Sequence, residues 1–128
     1  MDIILQGGSV VLPNNKIEEL DIGICDSKIS AIGDLSRSSS QKIINIKNLL
    51  VIPGAIDTQV HFREPGLTHK EDIFHGTMGA VLGGVTSIFE MPNTKPPTIN
   101  LKELTNKFKI AEKVVFVISV FIGATEKI

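Results

Sequence analysis

From Pro53 onward the sequence switches back and forth between two hydrophobic periods, and that alternation leaves few folds open. "AIDTQVHF" has a strand pattern, "EDIFHGTMGAVLGG" a helical one, "VTSIFEM" a strand again, "NLKELTNKFKIAEK" a helix, and "VVFVISVFIG" a third strand. Strands separated by helices are joined by right-handed crossovers and run parallel. The first helix is opened by Glu71 and Asp72, which suit the positive end of its dipole. Ile73, Thr77, Ala80 and Val81 are spaced for one face, and Gly83-Gly84 close it. The second helix has Asn100 as N-cap with Glu103 three residues on, a capping-box pattern. Leu101, Leu104, Phe108 and Ala111 mark its expected buried stripe. The last strand is apolar on both faces, as a strand in a covered parallel sheet must be.

Before Pro53 the grammar differs. Short strand-like runs follow one another with no helical period. "IILQGGSVVL" reads as two runs parted by Gly7-Gly8, and "ELDIGICDSKISAIGD" turns at Asp26-Ser27. "KIINIKNLLVIP" is strand-rich and stops at Pro53-Gly54. The expectation is a β-rich sandwich segment over 1–52, then two βα units and a third strand over 53–128. With 42% hydrophobic residues, 21% charged and a net charge of −1, the composition is that of a soluble globular chain. It gives no reason to expect nucleic acid or an anionic membrane as partner. Cys25 is the single cysteine, so no internal disulfide forms, and its apolar neighbours mark it as a core residue. No apolar run reaches the roughly 18 residues of a membrane span, and no signal-peptide pattern opens the chain. A cytoplasmic location is expected.

Ligand groups in parallel α/β folds gather at the C-terminal ends of the strands. The loops "HFREPG" and "MPNTKPP" both begin there, so they are expected to open onto one face of the sheet. Along an unbroken strand Asp57, Gln59 and His61 would share a side. His61 can ligate a metal as neutral imidazole, or it is simply a hydrogen-bonded residue beside a loop. Gln59 offers only an uncharged amide oxygen, a weak ligand for zinc. Asp57 would orient an imidazole or close the floor of the site. The Arg63 guanidinium either clamps a carboxylate or pairs with Glu64. Asn93 either donates and accepts to a substrate or forms a turn. His69 and His75 are expected in solvent, and Glu90 at the sheet edge or under the loop.

"VIPGAIDTQVHFREPG", then "KEDI", then "GGVTSIFEMPNTKPPT", closely resembles the N-terminal part of dihydroorotases, which are cyclic amidohydrolases of the metal-dependent amidohydrolase superfamily. The resemblance implies the N-terminal part of a (β/α)8 TIM-like barrel, preceded by a small β-sandwich segment. It implies reversible hydrolysis of dihydroorotate to N-carbamoyl-aspartate in pyrimidine synthesis, assisted by Zn2+. His61 matches the second histidine of the family's His-x-His pair, and Arg63 with Asn93 match the clamp for the substrate carboxylate. Allantoinase or hydantoinase is the less favoured alternative: allantoinases usually carry Asn where Arg63 stands and a different loop at "MPNT", hydantoinases lack the Arg-Asn pairing, and the substrates of both lack the ring carboxylate.

Two departures stand out. Gln59 occupies the place of the first histidine, which puts that metal position in doubt. A barrel of this kind needs roughly 250 residues, so the remaining histidines, the bridging lysine and the aspartate base are expected beyond Ile128. The chain is then expected to be inactive alone, and to need a complementary chain or a homo-oligomer. The alternative is a non-catalytic dihydroorotase-like partner or a decayed fragment.

Overall fold

The computed structural model describes residues 1–114, 116 and 118–121. They form two compact units, Met1–Pro53 and Gly54–Ile128.

The first unit is a mixed sheet of five strands: β1 (Ile3–Val11), β2 (Ile17–Cys25), β3 (Lys28–Gly33), β4 (Lys42–Asn45) and β5 (Leu50–Val51). Its order is β3-β2-β1-β4, with β5 also on β1. The β1–β2–β3 pairs are antiparallel, whereas β4 and β5 run parallel to β1. Asp26 and Ser27 both take positive φ, 49° and 60°, as a tight hairpin turn between right-twisting strands requires. The two runs expected around Gly7-Gly8 are one strand. The glycines instead make a bulge between Leu5 and Gly8. Asp21 stitches it, its Oδ1 accepting from Gly7 N at 2.9 Å and its Oδ2 from Leu35 N at 3.0 Å. Ile4, Val10 and Ile22 are buried, while Cys25 is only half-buried. The unit is one five-stranded sheet, consistent with the β-rich sandwich segment expected over 1–52. An apolar concavity of about 250 Å³ lies over Val10, Ile22, Ile29, Ile32, Val51 and Ile52.

The second unit alternates strand and helix: β6 (Ala55–Val60), α1 (Ile73–Leu82), β7 (Val85–Glu90), α2 (Leu101–Ala111) and β8 (Ile118–Phe121). The strands are parallel and lie in chain order, β6-β7-β8. The outer ends of the third strand run, Val115, Val117, Ile122 and Gly123, fall outside the described residues. The core gathers Phe62, Ile73, Ile88 and Ala111, with Val60, Val85, Leu104, Ile110 and Val114 against it. Burying each large apolar side chain there contributes about 1.5–3 kcal/mol relative to exposure.

Both helices start where their caps dictate. Asp72 Oδ1 accepts from His75 N at 2.7 Å, and Asn100 Oδ1 accepts from Glu103 N at 3.0 Å. Their buried faces match those read off the sequence only in part, at Ile73 and Thr77 in one and at Leu104 and Ala111 in the other. In α1, Ile73 and Thr77 are fully buried but Val81 is 45% exposed. In α2, Leu101 is 78% and Phe108 40% exposed, and Lys107 is fully buried in their place. A stripe drawn through every apolar residue misses a lysine that belongs to the buried row Leu104–Lys107–Ala111.

Candidate functional site

The β6 and β7 exits lie side by side because the ladder continues past both strands: Met91 N donates to Val60 O at 3.0 Å. Beyond it the loops themselves join. Lys95 N donates to Pro65 O at 3.0 Å. Gly66, at φ +87°, sits so close to the Lys95 carbonyl that a Cβ there would lie 1.8 Å from its oxygen. Only glycine serves at that point, on both conformation and space. Each loop carries a cis proline, Glu64–Pro65 in one and Lys95–Pro96 in the other. The second loop is organised internally by Thr94, whose Oγ1 donates to Pro96 O at 2.9 Å, and by Thr98 N donating to Pro92 O at 2.9 Å.

This closure brings His61 and Asn93, 32 residues apart, into a 2.8 Å contact between His61 Nδ1 and Asn93 Oδ1. A carboxamide oxygen only accepts, so in this contact Nδ1 carries the proton, and the tautomer that matches it has its lone pair at Nε2. Both side chains are exposed. Phe62, between His61 and Arg63, turns inward and is 5% exposed. Its ring lies where a side chain on Gly76 of α1 would stand, 2.4 Å from the missing Cβ.

Arg63 follows with φ +64°, the left-handed region that a non-glycine residue adopts only at a cost of about 1 kcal/mol or more. Its carbonyl accepts from Leu67 N at 3.0 Å, which fixes the turn. The guanidinium makes no ion pair or hydrogen bond among the described residues. Glu64 is engaged elsewhere: its Oε2 accepts from Ile73 N at 2.8 Å, supplementing the Asp72 cap on α1. The Arg63–Glu64 pair considered from sequence does not form.

The alignment of Asp57, Gln59 and His61 also fails. Asp57 pairs with Ile88 but Val60 with Glu90, so three residue steps oppose two. That bulge breaks the strict alternation on which a shared face depends. Asp57 Oδ1 accepts from Gln59 N at 2.9 Å, so it serves its own strand rather than an imidazole. His69 is exposed, and so is His75, which rests against Asp72 at 2.8 Å. The backbone N–H and the ring of His75 hold the Asp72 carboxyl below the usual carboxylate range.

Beneath the loops lies a buried pair, of which the sequence reading singled out Glu90 but not Lys107. Glu90 and Lys107 form a direct ion pair, both side chains 0% exposed. Lys107 Nζ also donates to Met91 O at 3.1 Å. Glu90 is therefore under the loop and not at a sheet edge. Burial pushes its carboxyl above the usual carboxylate range, against the opposing pull of Lys107, the Phe62 backbone N–H and His61. Among the described residues Glu90 Oε1 meets no partner at hydrogen-bond distance. The signal was present in the sequence: Glu90 shares a strand face with Ile88, and Lys107 lies at helical spacing from Leu104 and Ala111. Two opposite charges on two buried faces point to each other.

A divalent ion at this face is chemically compatible with a Nδ1-protonated His61, whose Nε2 is oriented by an outer hydrogen bond in the way that metal-bound histidines are. No group of three His, Cys, Asp or Glu side chains able to hold one occurs among the described residues.

The sequence profile of the Amidohydrolase family matches residues 50–125, and the chain belongs to that family. It is similar to the dihydroorotase of Geotalea daltonii, with 41% identity over 127 residues, covering 97% of this chain and 30% of that protein. The dihydroorotase of Lactococcus lactis subsp. lactis is 43% identical over 114 residues, covering 88% of this chain and 27% of that protein. Among solved structures, L-hydantoinase (dihydropyrimidinase) from Arthrobacter aurescens superposes with a TM-score of 0.89 at 31% identity, over 95% of this chain and 27% of that one. The chain thus spans less than a third of the length of these relatives.

Proposed function

We propose that the chain carries the substrate-recognition face of a dihydroorotase, a cyclic amidohydrolase that interconverts dihydroorotate and N-carbamoyl-aspartate in pyrimidine synthesis. The observation that carries this reading is the pairing of His61 with Asn93 next to a strained Arg63 whose guanidinium has no partner among the described residues. Backbone strain of this kind clusters at active sites and ligand clamps. Its planar fork suits a carboxylate, and Asn93 keeps its amide N–H groups for the same anion once Oδ1 is taken by His61. Likeness to proteins named dihydroorotase supports the reading, and so does the chain order of the parallel strands, as expected for the first units of a (β/α)8 barrel.

His61 through Nε2, and Gln59 weakly through its amide oxygen, are the residues offered to a zinc ion. Such an ion would polarise the ring carbonyl and lower the pKa of a bound water. The part these residues play themselves is to orient the ring: Arg63 and Asn93 fix its carboxylate, and His61 faces the carbonyl side. The cytoplasm is the expected location, and a further chain or a homo-oligomer the expected partner.

Equilibrium binding to the full chain tests the proposal. Dihydroorotate and N-carbamoyl-aspartate should bind, and Arg63→Met should weaken both at least tenfold. A ring without the carboxylate, dihydrouracil, should not bind measurably. Equal binding of dihydrouracil and dihydroorotate would refute the carboxylate clamp and favour a hydantoinase-like specificity, in line with the structural neighbour.

A further inference from the structure

His61 and Asn93 are exposed residues on two separate loops, yet their contact needs placement to a few tenths of an ångström. The exposed side chains cannot supply that order, because water competes for each of them. The chain of bonds that fixes them lies underneath. Val60, the neighbour of His61, accepts from Met91 N at 3.0 Å. Met91 O in turn accepts from Lys107 Nζ at 3.1 Å, and Lys107 is paired with Glu90. The Met91 backbone is thus held from both sides, by β6 through its N–H and by α2 through its carbonyl. Asn93 follows two residues later.

A buried ion pair is a poor way to gain stability, since desolvation offsets most of the attraction. An apolar pair of similar volume would fill the space equally well. What it would not do is donate to the Met91 carbonyl. Glu90 is equally needed, because an unpaired ammonium would not remain buried at that spot. We propose that Glu90 and Lys107 are positioning residues for the His61–Asn93 pair, pinning the Met91 backbone between β6 and α2 and so setting the distance between the two loops. The proposal rests on the functional reading only in counting His61 and Asn93 as site residues.

The test replaces both charges at once, Glu90→Leu with Lys107→Met, so that no charge is left buried alone. Nitrogen-15 spectra of the full chain then report the His61 tautomer at fixed pH, and amide exchange reports Met91. The unmodified chain should show a single Nδ1–H tautomer and a Met91 amide as protected as that of Ile88. The double variant should keep its circular dichroism, show both tautomers, and exchange the Met91 amide at least tenfold faster. Lys107→Arg, which keeps the charge and a donor, should retain the single tautomer. A folded double variant with the single tautomer and unchanged Met91 protection would overturn the proposal. Should the double variant fail to fold, the unmodified chain decides: a Met91 amide exchanging as fast as that of exposed Lys102 overturns it as well. None of these measurements uses substrate or metal. Loss of carboxylate binding with an intact tautomer would therefore sink the functional reading alone.

Discussion

Replacing Gly66 with alanine is the sharpest single perturbation of the loop junction, because two independent costs fall on one methyl group. The first is conformational. At φ +87° an L side chain is strained, by about 1–2 kcal/mol. The second is steric. The new Cβ would stand 1.8 Å from the Lys95 carbonyl oxygen, a backbone atom that cannot swing aside as a side-chain tip would. To reach ordinary contact the second loop must retreat by about 1.6 Å. That movement breaks the Lys95 N to Pro65 O hydrogen bond, about 1 kcal/mol more. The total is about 2–3 kcal/mol. The retreat also carries Asn93 away from His61, which shares the contact across the same two loops. Urea denaturation followed by circular dichroism measures the stability, since the chain has no Trp or Tyr to report by fluorescence. Nitrogen-15 spectra of the imidazole measure the contact. Gly79→Ala is the control: nothing lies within 4 Å of a Cβ there, in mid-helix, so it should stabilise by about 0.5–1 kcal/mol. A Gly66→Ala chain within about 0.5 kcal/mol of the parent, with its His61 signals unchanged, would refute the close approach of the two loops.

Two further outcomes follow from single groups. Asp72→Ala removes the N-cap of α1 and should cost about 1 kcal/mol in the same urea experiment, while Asp72→Asn should recover most of it. Glu90 has its pKa raised by burial, so between the ordinary value of 4.5 and the raised one the folded chain binds more protons than the unfolded chain. Its contribution to stability is therefore fully present below pH 4.5 and is lost as pH rises through the raised folded value. Urea midpoints measured across that window should decline toward neutral pH, and the decline should vanish in the Glu90→Leu, Lys107→Met chain.

Much of the fold was legible because local rules and burial agreed. The β-α-β-α-β order, the hairpin at Asp26-Ser27 and the caps at Asp72 and Asn100 each follow from residues within a few positions of one another. The approach of the two loops was also readable, since parallel strands joined by crossovers end on one side. Where the sequence misled, a nonlocal term had intervened. The bulge before Val60 is set by pairing with β7, and no count along β6 alone reveals it. The faces of α1 and α2 were read rightly at Ile73, Thr77, Leu104 and Ala111 but not at Val81, Leu101 and Phe108, because apolar residues were taken as the buried ones, although Lys107 is buried and Leu101 is not.

The residue types at the candidate site, an imidazole, a guanidinium and a carboxamide at the mouths of two strands, were settled by the sequence itself, because chemistry and chain position are both written there. Their coupling was decided by tertiary structure alone. The tautomer of His61 depends on which atom of Asn93 meets it across 32 residues, and Arg63 has no Glu64 partner because Glu64 Oε2 is occupied by the N-terminus of α1. The charge held beneath them depends on two buried faces meeting, which single-chain periodicity describes one at a time. Side-chain identity is a local property, whereas a hydrogen bond or an ion pair is a property of two distant segments brought together.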